Sequence, residues 1–172
     1  MAPPSLNVVS IGAIDTIPVP LVRAATTFVA TSIDDLGRAL EVQATRPRLP
    51  ALAIDLVGHS TRDHHLLRLG ATIIDALDLG VLRYFERIAR SGILRELNVS
   101  CLRLLGCETS ITPSGQRTMR LLASVLQMPV YGSRKRLSRM HHSDAGFDDR
   151  FVHVLDEAAY RRPPEQLVAP LG

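Results

Sequence analysis

Ile54-Asp-Leu-Val-Gly-His59-Ser60 and Cys101-Leu-Arg-Leu-Leu-Gly-Cys107-Glu108-Thr109-Ser110 are the two segments of the chain that decide its fold. Each is a run dominated by apolar residues that ends on a reactive side chain, with small or polar residues after it. Parallel strands buried on both faces have this pattern, and α/β proteins place their chemistry at the carboxyl ends of such strands. The segments therefore predict two buried strands, one ending near a histidine and the other near a cysteine.

The rest of the chain alternates between strand and helix patterns. Apolar or β-branched runs predict further strands at residues 8–14, 26–31, 129–132 and 151–155. Helical spacing of apolar residues predicts helices after Ser32, over residues 77–89, and from Thr112-Pro113 to Leu126, with a hairpin around Gly70. This alternation is typical of an α/β fold with a mostly parallel central sheet flanked by helices.

Length and composition indicate one globular domain. The chain has 172 residues, of which 46% are hydrophobic and 22% charged. We expect the domain to span residues 1–160. The remaining segment, residues 161–172, contains the proline pair Pro163-Pro164 and is predicted to be a flexible tail.

The two cysteines predict free thiols. Cys101 and Cys107 lie six positions apart on one predicted strand, which separates them by about 20 Å, whereas a disulfide requires Cα atoms within about 7 Å. Free thiols favour a reducing compartment. The first residues lack the pattern of a signal peptide, and no apolar run is long enough to cross a membrane. We therefore expect a cytoplasmic protein without a membrane partner.

His59 and Cys107 form the candidate catalytic pair. They are separated by 48 positions (107 minus 59), enough for one hairpin-plus-helix crossover between neighbouring strands. Neighbouring strands lie about 4.8 Å apart, so both side chains can face one groove. A histidine there can activate a cysteine for attack on a carbonyl group. The backbone N–H groups of Ser60 and Cys107 are the candidate donors to the oxyanion.

This order of motifs resembles the caspase-like cysteine peptidase superfamily, in particular the bacterial CHAT domains and their uncharacterised relatives. Those families carry the catalytic histidine at the end of one strand, typically as His-Gly, and the cysteine at the end of the next, often as Ala-Cys-Glu-Thr-Gly. Cys107-Glu108-Thr109 matches the second motif, with Gly106 and Ser110 as departures, and Ser60 replaces the glycine after the histidine. The similarity covers residues 26–133, and residues 8–15 fit the family's first strand.

The resemblance implies a caspase-like three-layer sandwich and a cysteine-dependent endopeptidase that uses His59 and Cys107. Its substrate would be a peptide or protein, and neither a cofactor nor a metal would be needed. By the same resemblance, Asp15 at the end of the first strand would contribute to substrate binding and favour a basic residue before the scissile bond.

Two alternatives remain open. The chain could be a catalytically inactive caspase-like scaffold that acts as an interaction or signalling module, with a partner protein or a second copy of itself, and Ser60 would then mark lost chemistry. It could also be a nucleotide- or nucleic-acid-binding domain that uses the basic segment Arg134-Lys135-Arg136 and Arg139. Because that segment lacks interleaved aromatic residues and a known motif, we do not expect a nucleic-acid partner.

Overall fold

A six-stranded sheet lies at the centre of the structure, a computed structural model that describes residues 3–160. The strands of the chain are β1 (Ser5–Ser10), β2 (Thr27–Ala30), β3 (Leu52–Val57), β4 (His59–Ser60), β5 (Leu67–Leu69), β6 (Thr72–Ile73), β7 (Val99–Leu105), β8 (Val130–Ser133), β9 (His142–Ser143), β10 (Gly146–Phe147) and β11 (Leu155–Ala158). The central sheet has the order β11-β8-β7-β3-β1-β2, and all its neighbours are parallel except β11 and β8.

Five helices accompany this sheet in the described part of the chain: α1 (Val19–Arg23), α2 (Asp34–Ala44), α3 (Leu79–Ser91), α4 (Ile93–Glu96) and α5 (Pro113–Leu126). Local signals set the ends of the two longest. Asp78 accepts from the backbone N–H groups of Gly80 and Val81 at the start of α3, and Gly92 ends that helix with φ 80°. Thr112 accepts from the N–H of Gly115 at the start of α5. The predicted start at Thr112-Pro113 is thereby confirmed, whereas the helix predicted over residues 77–89 runs from Leu79 to Ser91.

The sheet separates two hydrophobic clusters. On one face Val8, Leu56 and Leu104 pack with buried residues of the longer helices, including Leu40, Phe85 and Leu122. On the other face Val9, Val57 and Leu105 pack with Leu21 of α1, Phe147 of β10 and Val154. The prediction of an α/β fold with a mostly parallel central sheet is therefore confirmed. No helix within residues 3–160 has the length and apolar character that a membrane crossing needs.

Two smaller sheets complete the fold. The strands β4, β5 and β6 form an antiparallel sheet immediately after β3, and β9 and β10 form a hairpin. The hairpin predicted around Gly70 is the β5–β6 turn, where Gly70 has φ 58° and its Cα packs against the Thr31 backbone. A side chain at Gly70 would place Cβ 2.0 Å from the Thr31 carbonyl oxygen, so this position requires glycine.

Two predicted strands differ from the structure. The first strand is Ser5–Ser10 rather than residues 8–14, and a 3₁₀ helix, Ile11–Thr16, follows it, so Asp15 does not lie at the end of a strand. Residues 151–155 are mostly 3₁₀ helix, Asp149–Val154, because the Asp148 side chain accepts from the N–H of Arg150 and starts a turn. The last strand is Leu155–Ala158. The predicted tail, residues 161–172, lies outside the described residues.

Candidate active site

The pairing of β3 with β7 brings His59 and Cys107 to the same edge of the sheet. Val57 pairs with Leu105 at the end of this parallel ladder, and the N–H of Gly58 donates to the carbonyl oxygen of Leu105 over 3.3 Å. His59 and Cys107 each lie two residues beyond that last pair. Their main chains therefore leave neighbouring strands at equivalent positions.

The imidazole of His59 is exposed and points toward the carboxyl end of β1. Its Nε2 atom lies 2.9 Å from the carbonyl oxygen of Gly12, in the 3₁₀ helix that follows β1. Because a carbonyl oxygen only accepts hydrogen bonds, Nε2 must carry the proton. In the neutral ring Nδ1 is then unprotonated and is the atom that can take up a proton.

Cys107 is half-buried beside the segment that follows β8. Its Sγ atom lies 3.7 Å from the carbonyl oxygen of Leu137. We call residues 134–139 the flanking segment. The backbone N–H of Glu108 donates to the carbonyl oxygen of Lys135 over 3.0 Å, so this segment contacts both the cysteine and the residue after it.

Ser60 connects the two strand ends directly. Its Oγ atom donates a 2.6 Å hydrogen bond to the carbonyl oxygen of Cys107. Gly106 lies beneath this bond, and a Cβ atom at that position would stand 2.7 Å from the Ser60 hydroxyl oxygen. The Ser60 hydroxyl therefore occupies the space that a side chain at position 106 would need.

The two backbone N–H groups predicted to donate to an oxyanion are those of Ser60 and Cys107. Among residues 3–160, nothing accepts a hydrogen bond from the N–H of Cys107. The N–H of Thr61 donates to the carbonyl oxygen of Leu66 over 2.8 Å, so these two residues form a hydrogen-bonded pair. Ser60, one residue before Thr61, lies opposite Leu67 in the β4–β5 ladder. Hydrogen-bonded and non-hydrogen-bonded pairs alternate in an antiparallel ladder, so the Ser60 N–H points away from β5.

Asp15 lies on the 3₁₀ helix after β1 and is exposed. The guanidinium of Arg139 donates to the Asp15 carbonyl oxygen over 2.7 Å, which joins this helix to the flanking segment. Lys135 and Arg136 in the same segment are also exposed, whereas Arg134 forms an ion pair with Asp156. The Arg139 guanidinium therefore brings a positive charge next to the Asp15 backbone.

A second pair of titratable side chains involves Glu108, the residue that follows Cys107. The Nδ1 atom of His65 is 3.4 Å from a carboxylate oxygen of Glu108. The carbonyl oxygen of the neighbouring His64 accepts from the Thr112 hydroxyl over 2.6 Å, which attaches the polar turn after β4 to the start of α5. In the part of the chain that the structure describes, no three His, Cys, Asp or Glu side chains come together as a metal site.

A buried ion pair lies beneath the site on the same two strands. Arg103 contacts Asp55 through hydrogen bonds of 2.5 and 2.9 Å, and it also donates to the hydroxyl of Ser5. The Asp55 side chain is fully buried and that of Arg103 is 6% exposed. Asp55 therefore holds strand register rather than touching the candidate catalytic pair.

Two clefts border segments that follow the candidate catalytic residues along the chain. One cleft of about 750 Å³ borders the polar turn after β4 and is lined by residues that include Thr61, His64, Arg68 and Asp75. Another, of about 780 Å³, lies between α5 and β11. Neither is lined by His59 or Cys107.

Sequence reasoning missed three contacts of this site. Gly12 and Leu137 act through backbone carbonyl groups, which leave no signal in a single sequence. The contact between Ser60 and Gly106 did leave one. A residue with a side chain, Ser60, follows the histidine, and a residue without one, Gly106, precedes the cysteine.

Comparison with known proteins adds no family to this description. The chain matches no family model, and no curated protein matches it. The site must therefore be interpreted from its own geometry.

Proposed function

We propose that the chain is a cysteine-dependent endopeptidase of caspase-like type in which His59 and Cys107 are the catalytic pair. The observation that carries the proposal is their equivalent placement, each two residues beyond the last pair of β3 and β7. The order of elements around them supports it. A strand, the histidine, a small antiparallel sheet, helices, a neighbouring parallel strand and the cysteine follow one another as the resemblance implies.

The contact of His59 with Gly12 supports a base role. The Gly12 carbonyl fixes the ring with Nε2 protonated, so Nδ1 is the basic atom. Among the described residues, nothing donates a hydrogen bond to Nδ1. A ring held at one nitrogen and unpaired at the other is suited to accept a proton from a thiol and return it to a leaving group.

The proposed reaction has two steps. In the first, Nδ1 of His59 takes the proton of Cys107, the sulfur attacks the scissile carbonyl carbon, and the C–N bond breaks as the same histidine protonates the departing amine. In the second, His59 deprotonates a water molecule that attacks the thioester, which releases the acid and restores the thiol. The N–H groups of Ser60 and Cys107 would donate to the oxyanion in both steps.

Asp15 is proposed to select the residue before the scissile bond. Its exposed carboxylate stands on the segment that also holds His59, since both Asp15 and Gly12 belong to the 3₁₀ helix after β1. A carboxylate at this place favours a basic side chain in the substrate. Arg139, which binds the Asp15 backbone, would reduce this preference through its own charge.

A second candidate is the inactive scaffold. It is favoured by the directions of the two side chains, since His59 contacts Gly12 on the β1 side and Cys107 contacts Leu137 on the β8 side. On this alternative the same strand edge would bind a partner protein or a second copy of the chain without hydrolysis.

Cleavage of a mixed fluorogenic peptide library separates the two candidates. The endopeptidase proposal predicts activity near neutral pH that is lost in Cys107→Ala and reduced by a factor of about 10² or more in His59→Ala. Cys101→Ala and His64→Ala are the matched controls and should retain it. Cleavage that survives Cys107→Ala would contradict the proposal, and a folded wild-type protein that cleaves no peptide would favour the scaffold.

A further inference from the structure

We infer that Ser60 is a positioning residue, whose side chain holds the peptide group after Cys107 and fills the space that Gly106 leaves open. The inference rests on the proposed function, because it concerns the same cysteine. The hydroxyl of Ser60 acts separately from its backbone N–H, which is the proposed donor to the oxyanion.

The hydroxyl continues the connection between β3 and β7 beyond the end of their ladder. The last backbone hydrogen bond between these strands joins the Gly58 N–H to Leu105. Two residues further on, the Ser60 hydroxyl donates to the Cys107 carbonyl over 2.6 Å, a short distance for such a bond. The side chain therefore ties the two chains together at the point where the candidate catalytic residues leave the sheet.

The peptide group between Cys107 and Glu108 is held at both of its polar atoms. Its oxygen accepts from Ser60, and its N–H donates to the carbonyl oxygen of Lys135. Glu108 has φ 60°, a left-handed conformation that costs free energy for a residue with a side chain. Two hydrogen bonds on one peptide plane can sustain that conformation, and the plane in turn sets the direction in which Cys107 presents its sulfur.

Positions 60 and 106 are sterically coupled. A Cβ atom on residue 106 would lie 2.7 Å from the Ser60 hydroxyl oxygen, 2.9 Å from Cδ1 of Leu67 and 3.0 Å from Cγ2 of Thr109. Alanine at position 106 therefore displaces the serine hydroxyl from its bond, whereas glycine at position 60 removes the nearest of the three contacts. This explains why serine follows the histidine and glycine precedes the cysteine in the same chain.

The test is the pH–rate profile of Cys107 alkylation by iodoacetamide, measured by peptide mass spectrometry with Cys101 as the internal reference. We expect Ser60→Ala to change the Cys107 rate at neutral pH by about fivefold, the effect of one lost hydrogen bond. Ser60→Thr, which keeps the hydroxyl, should restore the wild-type profile. Gly106→Ala should have a larger effect than Ser60→Ala, and Ser60→Gly combined with Gly106→Ala should recover part of it.

The outcomes separate this inference from the proposed function. A Ser60→Ala protein with a lower melting temperature but an unchanged Cys107 profile would overturn the inference, since the hydroxyl would then be only structural. If His59→Ala leaves the same profile unchanged, the peptidase proposal fails, and the inference is still judged by the Ser60 variants. If His59→Ala and Ser60→Ala both alter the profile, and Ser60→Thr has the wild-type profile, the peptidase proposal and the inference about Ser60 are both supported.

Discussion

Asp55 of β3 and Arg103 of β7 pair with each other, and each lies four residues before its candidate catalytic residue, His59 or Cys107, along the chain. The ion pair and the candidate catalytic pair therefore share one register. A shift of one residue in the β3–β7 register would separate Asp55 from Arg103 and His59 from Cys107 at the same time. It would also turn the side chains of the shifted strand to the other face of the sheet. The buried pair thus links the stability of the sheet to the geometry of the site.

Arg103→Met should destabilise the protein strongly, because it leaves the carboxylate of Asp55 buried without its partner. We expect a loss of about 3–5 kcal/mol in the free energy of unfolding, measured by urea titration at neutral pH. Asp55→Leu combined with Arg103→Met should recover a large part of that loss, since no buried charge remains. Arg134→Met, which removes an ion pair with a half-exposed partner, is the control and should change the value by less than about 1 kcal/mol. An equally small effect of Arg103→Met would contradict the account.

His142 should make stability depend on pH below neutrality. Burial lowers the pKa of this histidine from 6.5 to about 4, and its Nδ1 atom is buried without a hydrogen-bond partner among the described residues. Between pH 6.5 and 4 the imidazole of His142 is therefore protonated in the unfolded chain and neutral in the folded chain. We expect stability to fall by up to about 3 kcal/mol as the pH is lowered through that window.

His142→Phe is the variant that tests this pH dependence. It removes the proton-binding group while keeping a ring against Phe147, so the stability curve between pH 4 and 6.5 should become flatter. The exposed His153, replaced by alanine, is the control and should leave the slope as in the wild type. Equal slopes in wild type and His142→Phe would show that another group causes the acid sensitivity.

Asp15→Asn should alter substrate preference without altering the catalytic pair. If the carboxylate binds a basic side chain, the ratio of kcat/KM for substrates with arginine to those with glutamine before the scissile bond should fall about tenfold. Asp144→Asn, an exposed change in the β9–β10 turn, is the control. An unchanged ratio would show that Asp15 does not bind the substrate side chain, and it would not contradict the proposed reaction.

Much of the central sheet could be predicted from the sequence because buried parallel strands carry continuous apolar runs. The apolar runs that lead to His59 and Cys107 predict two buried strands, and these are β3 and β7 of the structure. The helix starting at Pro113 was predicted from its cap, a local interaction that sequence displays directly.

The errors arose where polar side chains, rather than apolar runs, decide the structure. β1 begins at Ser5, whose buried hydroxyl accepts a hydrogen bond from the guanidinium of Arg103, and a search for apolar residues passes over such a position. Residues 149–154 wind into a 3₁₀ helix because Asp148 caps them, although their apolar residues favour a strand. For the site, the sequence indicated the reactive side chains but not the carbonyl groups of Gly12 and Leu137 that orient them.

The most direct measurement of the central claim is covalent labelling by a peptidyl acyloxymethyl ketone with arginine next to the reactive group. The thiol attacks the probe, a carboxylate leaves, and a stable thioether marks the nucleophile. The account predicts one adduct on Cys107, formed about 10² or more times more slowly in His59→Asn. Burial raises the pKa of the Cys101 thiol, so that cysteine should stay unlabelled. Labelling that is equal on both cysteines, or indifferent to His59, would contradict the claim that these two residues act together.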